Sequence, residues 1–247
     1  MIRAILCGRH LPDLRRILAG FPIREVTERP DLVISYGGDG ALLGAERTYP
    51  GVPKLPLRDQ RSNPACPAHG EAWVLDGLVA GRLKEARLLK LEAEIAGRRA
   101  APLTAVNDIV VHNRVIPSAV RYRVWLDDEL YANQAVGDGL VAATPFGSSG
   151  YYRSITHSIF RTGIGLAFNN STEPTHHLVI PDTVAVRVQI LRGPAVLLAD
   201  NAPVRLQLAA GAEVRIRRSP HAATVFGLDI FRCPICARQR QDNPDPV

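Results

Sequence analysis

The sequence predicts a two-domain protein, an α/β domain at the N-terminus followed by an all-β, sandwich-like domain. Three observations carry that expectation. Residues 1–60 alternate between short apolar runs and segments with helical apolar spacing. Near residue 85 the texture changes to many short strands with turns between them. The first domain also carries Gly37-Gly38-Asp39-Gly40, three glycines around one aspartate, directly after the run Asp31-Leu32-Val33-Ile34-Ser35-Tyr36. With 247 residues, 46% of them hydrophobic and 22% charged, the chain has material for a large core, as one domain or two.

The first domain reads in order. Residues 2–7 form a first strand, and 11–19 place Leu11, Leu14, Ile17 and Leu18 on one helical face. A second, buried strand covers 32–35 and a helix covers 41–49. Residues 52–57 form a third strand that Pro53 and Pro56 assign to an edge or a terminus. The polar, proline-bearing stretch 58–68 reads as a loop, and a helix returns over 71–81 with Trp73, Leu75, Leu78 and Val79. In the second domain, 87–95 alternates in its second half. Strands are expected at 105–112, 121–126, 184–191, 196–199, 204–208 and 212–217. The last contains Glu213-Val214-Arg215-Ile216-Arg217, with a period of two. Asp127-Asp128 and Ala210-Gly211 supply turns, residues 137–151 read as a flexible loop, and 239–247 is a polar tail.

Composition narrows the partners. A net charge of +6 tolerates anions, but aromatics are only 6% and no Lys/Arg tract carries interleaved aromatics. Nucleotides or polyphosphates therefore suit the chain better than nucleic acid. Most of the basic residues are arginines, which suits bidentate phosphate contacts. The first seven residues lack an apolar signal region and no run is long enough to span a bilayer, so a cytoplasmic protein without a membrane partner is expected. The four cysteines fit a reducing compartment, since Cys7 and Cys66 stand apart and only Cys233 and Cys236 are close. Cys233-Pro234-Ile235-Cys236 has the spacing of half a zinc knuckle. No second Cys/His pair follows it, and His176, His177 and His221 are too scattered to complete it by sequence, so the pair reads as tail thiols and no metal site is assigned. The alternative is a site completed by those histidines or shared across a two-fold axis.

Two glycine clusters carry the chemistry. At Gly37-Gly38-Asp39-Gly40 a strand delivers a turn in which the missing Cβ atoms let a ligand approach the backbone. The helix that follows offers free N–H groups and a positive dipole end to a phosphate. An acid in such a cradle suits proton acceptance or metal binding, which makes Asp39 a candidate for phosphoryl transfer. The alternative is a turn aspartate bonded to its own backbone. The second cluster runs from Gly137-Asp138-Gly139 to Thr144-Pro145-Phe146-Gly147-Ser148-Ser149-Gly150-Tyr151, an acid between glycines followed by small hydroxyl residues. By itself it reads equally as a structural loop, with Tyr151 an aromatic that simply packs. Asn107-Asp108, before Ile109-Val110-Val111, reads as a turn or cap.

The order of the three resembles the NAD kinase family. The family pattern is GGDG, then Asn-Glu, then Asp-Gly-x-x-x-x-Thr-Pro-x-Gly-Ser-Thr-Ala-Tyr, and further likeness lies in Asp200-Asn201 and in 214–220. Lipid kinases of the diacylglycerol and sphingosine type, and phosphofructokinases, share the first turn alone. The resemblance implies a Rossmann-like, phosphofructokinase-like α/β domain over 1–85, completed by 225–247, and a β-sandwich over 86–224, with NAD in the cleft between them. It further implies a homodimer or homotetramer. The reaction implied is transfer of the terminal phosphoryl of ATP or polyphosphate to the 2′-hydroxyl of the adenosine ribose of NAD. Asp39 would accept or orient that hydroxyl proton, while Gly37, Gly38 and Gly40 leave room for phosphates bridged by Mg²⁺ or another divalent metal. Asn107 and Asp108 would bind the nucleoside portion of NAD and Asp138 a polar edge of the dinucleotide. Thr144, Ser149, Gly150 and Tyr151 would wall it. The chain also departs from the pattern. Asp108 stands for Glu, Phe146 for a small hydroxyl residue, and Ser148-Ser149-Gly150 for Ser-Thr-Ala. Ser154-Ile155-Thr156-His157 follows where the family has Gly-Gly-Pro, and Arg58-Asp59-Gln60-Arg61-Ser62-Asn63-Pro64 replaces Asn-x-Gly-x-Leu-Gly-Phe. Phe146 would stack on a base or shrink the pocket. A non-catalytic NAD(P)-binding regulatory homologue, or a kinase acting on a lipid or sugar hydroxyl, is the alternative reading.

Overall fold

In the computed structural model, which describes residues 1–61, 67–172 and 176–242, the chain divides into two units, Met1–Leu88 with Ala222–Val247, and Leu89–His221. The first unit opens with β1 (Ile2–Gly8), α1 (Leu11–Leu18), β2 (Ile23–Glu25), β3 (Leu32–Tyr36), α2 (Asp39–Thr48) and β4 (Lys54–Leu57). A short 3₁₀ turn (Pro67–His69), α3 (Glu71–Val79) and β5 (Glu85–Leu88) follow. All five residues of β3 are buried, because it runs parallel between β1 and β4 with side chains packed on both faces of the sheet. Ile34 and Leu32 join Leu14, Leu55 and Leu75 on one side, while Val33 joins Ile5 and Ala45 on the other. Lys54, fully buried on β4, donates to the carboxylate of Glu46 on α2, so the charge that β4 takes into the core is matched.

The second unit contains β6 (Leu91–Ile95), β7 (Leu103–Ala105), β8 (Asp108–Asn113), β9 (Val120–Leu126), β10 (Glu129–Gly137) and β11 (Gly139–Ala143). A 3₁₀ turn (Gly147–Ser149), α4 (Tyr151–Thr156), β12 (Ile164–Asn169) and β13 (Leu178–Ile180) come next. The unit closes with β14 (Val186–Arg192), β15 (Ala195–Ala199), β16 (Leu206–Leu208) and β17 (Glu213–Arg218). Two six-stranded antiparallel sheets, β10-β9-β14-β17-β6-β7 and β13-β12-β11-β8-β15-β16, share one core. Alternate residues such as Tyr122, Val124, Ile109, Val111, Leu140 and Phe168 point into it. The chain then returns to the first unit through β18 (Ala223–Phe226), α5 (Leu228–Phe231) and α6 (Pro234–Asp242), giving the sheet order β2-β1-β3-β4-β18-β5. The architecture is the α/β domain and all-β sandwich that the sequence predicts. Among the described residues no helix is long and apolar enough to cross a membrane.

Several local expectations change. β4 is not an edge. β18 lies beside it, through the single register pair Val225↔Lys54, so Pro56, which has no N–H to give, is not asked to bond on that side. The expected strand 105–112 is two strands separated at 106–107. Residues 137–151 are not one flexible loop, since 139–143 form a fully buried central strand. Its two faces are both covered: Leu140 and Ala142 enter the sandwich core, while Val141 and Ala143 pack with Tyr152 of α4. A strand buried on both faces shows no alternation, and this one is written in small residues. Of the expected tail, 239–242 continue α6 and 243–247 lie outside the described residues, as do Ser62, Asn63, Pro64 and Cys66.

Gly139 holds φ +145°, and a Cβ there would lie 1.9 Å from the carbonyl oxygen of Val111. Gly139→Ala is expected to destabilise the protein by on the order of 2–4 kcal/mol, read as a lower urea midpoint. An unchanged midpoint would show that β11 has room the close packing denies.

Candidate active site

Asp39 is built into its place by the three glycines. Gly37 takes φ +143° and donates its N–H to Leu57 O at 2.8 Å, which ends β3 against β4 and turns the chain. Gly38 caps α2 in an extended conformation, with its carbonyl accepting the Ala41 N–H at 3.0 Å. Asp39 is then the first residue of the helix, at the C-terminal end of a parallel strand, where open α/β sheets place their ligands. Gly40 follows, exposed.

The Asp39 carboxylate does not close on its own turn. Arg58 Nη2 donates to Oδ1 at 3.1 Å and Arg232 Nη2 donates to Oδ2 at 2.9 Å. Arg58 is the residue directly after β4, and its side chain is only 10% exposed. It lies over the Phe231 ring at 3.7 Å, and its Nε and Nη2 donate to the Phe231 carbonyl at 3.3 and 3.1 Å. Two guanidiniums thus converge on one carboxylate beside a helix N-terminus. The guanidiniums and the helix N–H groups are hydrogen-bond donors suited to phosphate, and the carboxylate is the acceptor among them. Neither arginine was among the residues read from the sequence. The position of Arg58 at a strand's C-terminal end is a signal that could have found it; nothing local marks Arg232.

In the second unit the organising group is Asp200, at the turn after β15 with φ +48°. Its Oδ2 accepts the Val106 N–H at 2.9 Å, and its Oδ1 accepts those of Asn107 at 2.7 Å and Asp108 at 3.2 Å. Three consecutive amides facing one carboxylate make a turn, and for this reason the β7–β8 segment breaks at 106–107. The Asn107 Oδ1 is buried and finds no hydrogen-bond partner among the described residues. Asp108 is 8% exposed. Burial first, and the Asp200 charge second, push its carboxyl up to about 7, so near neutral pH it is a donor as well as an acceptor.

The 144–151 segment locks onto this turn. Thr144 is fully buried. Its hydroxyl donates to Val106 O at 2.5 Å and accepts the Gly147 N–H at 3.0 Å, and its own N–H donates to Asn107 O at 2.8 Å. A Cβ on Gly147 would stand 2.2 Å from Asn107 O, so glycine is needed there. Thr144 therefore acts as a latch, with its hydroxyl used internally. Phe146 is also buried, at 6% exposure, and offers no free face to a base. Ser149 and Gly150 are exposed at the start of α4. Tyr151 accepts the Asn169 amide on its hydroxyl at 2.8 Å. Its phenol is raised first by burial, then by the charges of Asp138 and Asp108, which places these three groups in one electrostatic neighbourhood. Asp138 accepts amides from Asn113 at 3.3 Å and Asn170 at 2.6 Å. The sequence-read residues thus form two sets, one per unit, and Arg58, Arg232, Asp200 and Asn169 join them.

Comparison with known proteins follows the same lines. The family model for the ATP-NAD kinase C-terminal domain matches residues 106–228. The chain is 27% identical over 230 residues to the NAD kinase of Shewanella frigidimarina, covering 88% of this chain and 74% of that protein. It is 29% identical over 204 residues to the NAD kinase of Thermomicrobium roseum, covering 78% and 69%. Among solved structures, yeast NADH kinase complexed with NADH superimposes with TM-score 0.77 at 16% identity, covering 92% of this chain and 83% of that one. An NAD kinase from Archaeoglobus fulgidus in complex with ATP gives 0.76 at 17% identity, covering 96% and 99%. These two share the fold.

The raised Asp108 carboxyl predicts a pH-dependent stability. An unfolded aspartate titrates near ~4, the folded one at about 7. Between those values the folded state holds more protons, so its stability falls as pH rises and the loss is complete above pH 7. Asp108→Asn removes that penalty. The variant is expected to match the wild type near pH 4 and to exceed it by on the order of 2–4 kcal/mol at pH 8 in urea unfolding. Parallel curves at both pH values would contradict it.

Proposed function

The chain belongs to the NAD kinase family, and from that premise we propose that it transfers the terminal phosphoryl of ATP or polyphosphate to the 2′-hydroxyl of the adenosine ribose of NAD, yielding NADP. The observation that carries the reading is the turn held by Asp200. It presents an unpartnered buried acceptor, Asn107 Oδ1, beside a buried acid, Asp108, whose carboxyl is raised to about 7 and so can donate near neutral pH. One acceptor and one donor side by side suit the nucleoside portion of a dinucleotide. In the first unit, Asp39 orients the acceptor hydroxyl and takes its proton late in a loose transition state, where positioning and charge neutralisation count for more than base strength. Both Asp39 oxygens are held by guanidiniums, so Arg58 or Arg232 turns toward the phosphates as the hydroxyl takes its place.

The residues present fit a divalent ion that travels with the nucleotide. Among the described residues no three carboxylates gather into a cage, and Mg²⁺ binds readily through phosphate oxygens and water. When bound it neutralises charge on the phosphates; the chain's part is the Asp39, Arg58 and Arg232 frame. The homodimer or homotetramer and the cytoplasmic location expected from the sequence belong to the same reading.

One observation favours the non-catalytic alternative, namely that the two ion pairs occupy Asp39. Purified protein incubated with NAD, Mg²⁺ and either ATP or polyphosphate separates the two. NADP formation that falls by about 100-fold or more in Asp39→Ala is expected. Tight NAD binding without turnover on either donor identifies a regulatory homologue, and phosphorylation of a lipid or sugar alone identifies another kinase of the superfamily.

A further inference from the structure

A second cluster of chemistry-bearing side chains lies in the first unit. His69, at the end of the 3₁₀ turn, and Cys233 and Cys236, at the start of α6, place one ligand atom each within 4.8 Å of one another. Both cysteines are buried, Cys233 at 7% and Cys236 at 1% exposure. The histidine beside the Cys-x-x-Cys pair is thus His69, not one of the scattered His176, His177 and His221.

From this geometry we propose that His69, Cys233 and Cys236 bind a structural Zn²⁺ ion. Zinc with bonds of about 2.3 Å to sulfur and about 2.0–2.1 Å to nitrogen, in tetrahedral geometry, sets a sulfur and a nitrogen about 3.5 Å apart. Cys236 Sγ and His69 Nδ1 stand 3.5 Å apart. The two sulfurs of such a site stand about 3.8 Å apart, inside the 4.8 Å limit of the cluster. Cys233 immediately precedes α6 and Cys236 is its third residue, so both thiols sit at a helix N-terminus, where the dipole favours the thiolate that zinc requires. Binding releases the two thiol protons to solvent. The sequence adds that Cys66 precedes His69 by three positions, as Cys233 precedes Cys236. Cys66 lies outside the described residues, and the assignment rests on the three described ligands.

The site is joined to the Asp39 frame through the chain itself. Arg232, which holds Asp39 Oδ2, is the residue before Cys233, and Phe231, which holds Arg58 by ring and carbonyl, is the one before that. A cavity lined by Arg58, Phe231, His69 and Cys236 borders both. Zinc would fix the start of α6 and, through it, the direction of Arg232. The proposal stands whether or not the chain transfers a phosphoryl group.

The test is metal analysis of the full-length protein, purified with reductant and without chelator, then loaded with equimolar Zn²⁺ and desalted. About one zinc per chain is expected. It should be retained in Cys7→Ser and in His69→Cys, and lost at least 10-fold in Cys233→Ser, Cys236→Ser and His69→Ala. Should the serine variants fail to fold by circular dichroism, Co²⁺ loading of the wild type decides. Thiolate-to-cobalt charge-transfer bands with intense tetrahedral ligand-field bands support the site. Wild-type protein that holds no stoichiometric zinc and gives no such cobalt spectrum overturns the proposal. Zinc that persists in folded Cys233→Ser and Cys236→Ser, or a Cys233–Cys236 disulfide in metal-free protein under reductant, overturns it too.

Discussion

The Asp200 carboxylate, shared among the backbone N–H groups of 106, 107 and 108, is the constraint on which the second unit's site depends. Hydrogen bonds to a charged acceptor each contribute about 1.5–3 kcal/mol, and three on one residue hold a tight turn between two sheet strands. Everything nearby is registered against that turn. Thr144 bonds to the carbonyls on either side of it, Gly147 presses on the Asn107 carbonyl, and Asp200 returns its own N–H to the Asp108 carbonyl at 2.9 Å. The same arrangement sets the chemistry. Burial first, and the neighbouring Asp200 charge second, raise the Asp108 carboxyl to about 7, while Asn107 is left with an acceptor that no described residue satisfies. The turn spends its backbone donors on Asp200 and leaves the Asn107 side-chain oxygen unspent, which is what the proposed nucleoside contact uses.

The first unit solves a different problem, holding an acid at a helix N-terminus without letting it bond to that helix. Gly37 and Gly38 set the turn, and Asp39 faces two guanidiniums from widely separated parts of the chain. One of them is itself immobilised, since Arg58 is nearly buried, stacked on Phe231 and bonded to its carbonyl. The segment after Arg58 is anchored as well. Asp59 is buried and accepts the Arg61 N–H at 3.0 Å, while Arg61 reaches Asp13 of α1 at 2.8 Å. Residues 58–61, the described part of the stretch that departs from the family pattern, are therefore tied into the unit.

What could be read from the sequence follows the range of the interactions. The β3–Gly37-Gly38-Asp39-Gly40–α2 unit is local, so an apolar run, three glycines and a helical segment announced it. Strands with one face in the sandwich, such as β17, showed their period of two. β11 did not, because Val141 and Ala143 are as buried as Leu140 and Ala142, and a glycine-rich start reads as a loop when nothing alternates. Arg232 as a partner of Asp39, and the bonds that Asp200 makes to the 106–108 turn, were beyond reach for another reason. Arg232 lies 193 positions from Asp39, and Asp200 lies 92 to 94 positions from its three donors. Contacts of that range leave no periodicity, only residue types whose meaning appears when the fold joins them.

Arg58 after β4 and Phe231-Arg232 near the C-terminus, separate in the sequence, form one device in the structure. Arg58, directly after β4, brings a long cation to the Asp39 turn, and a side chain of that length needs support. That support is Phe231, whose carbonyl and ring both serve Arg58, and the next residue, Arg232, supplies the second cation on Asp39. Neither arginine serves alone: Arg58 without Phe231 is a long, loosely held cation, and Arg232 takes its direction from the start of α6. The Cys233–Cys236 pair beside His69 lies where such fixing is needed, one residue past Arg232. A short terminal segment has little core of its own, and a staple at its base is the physical means of giving it a single position.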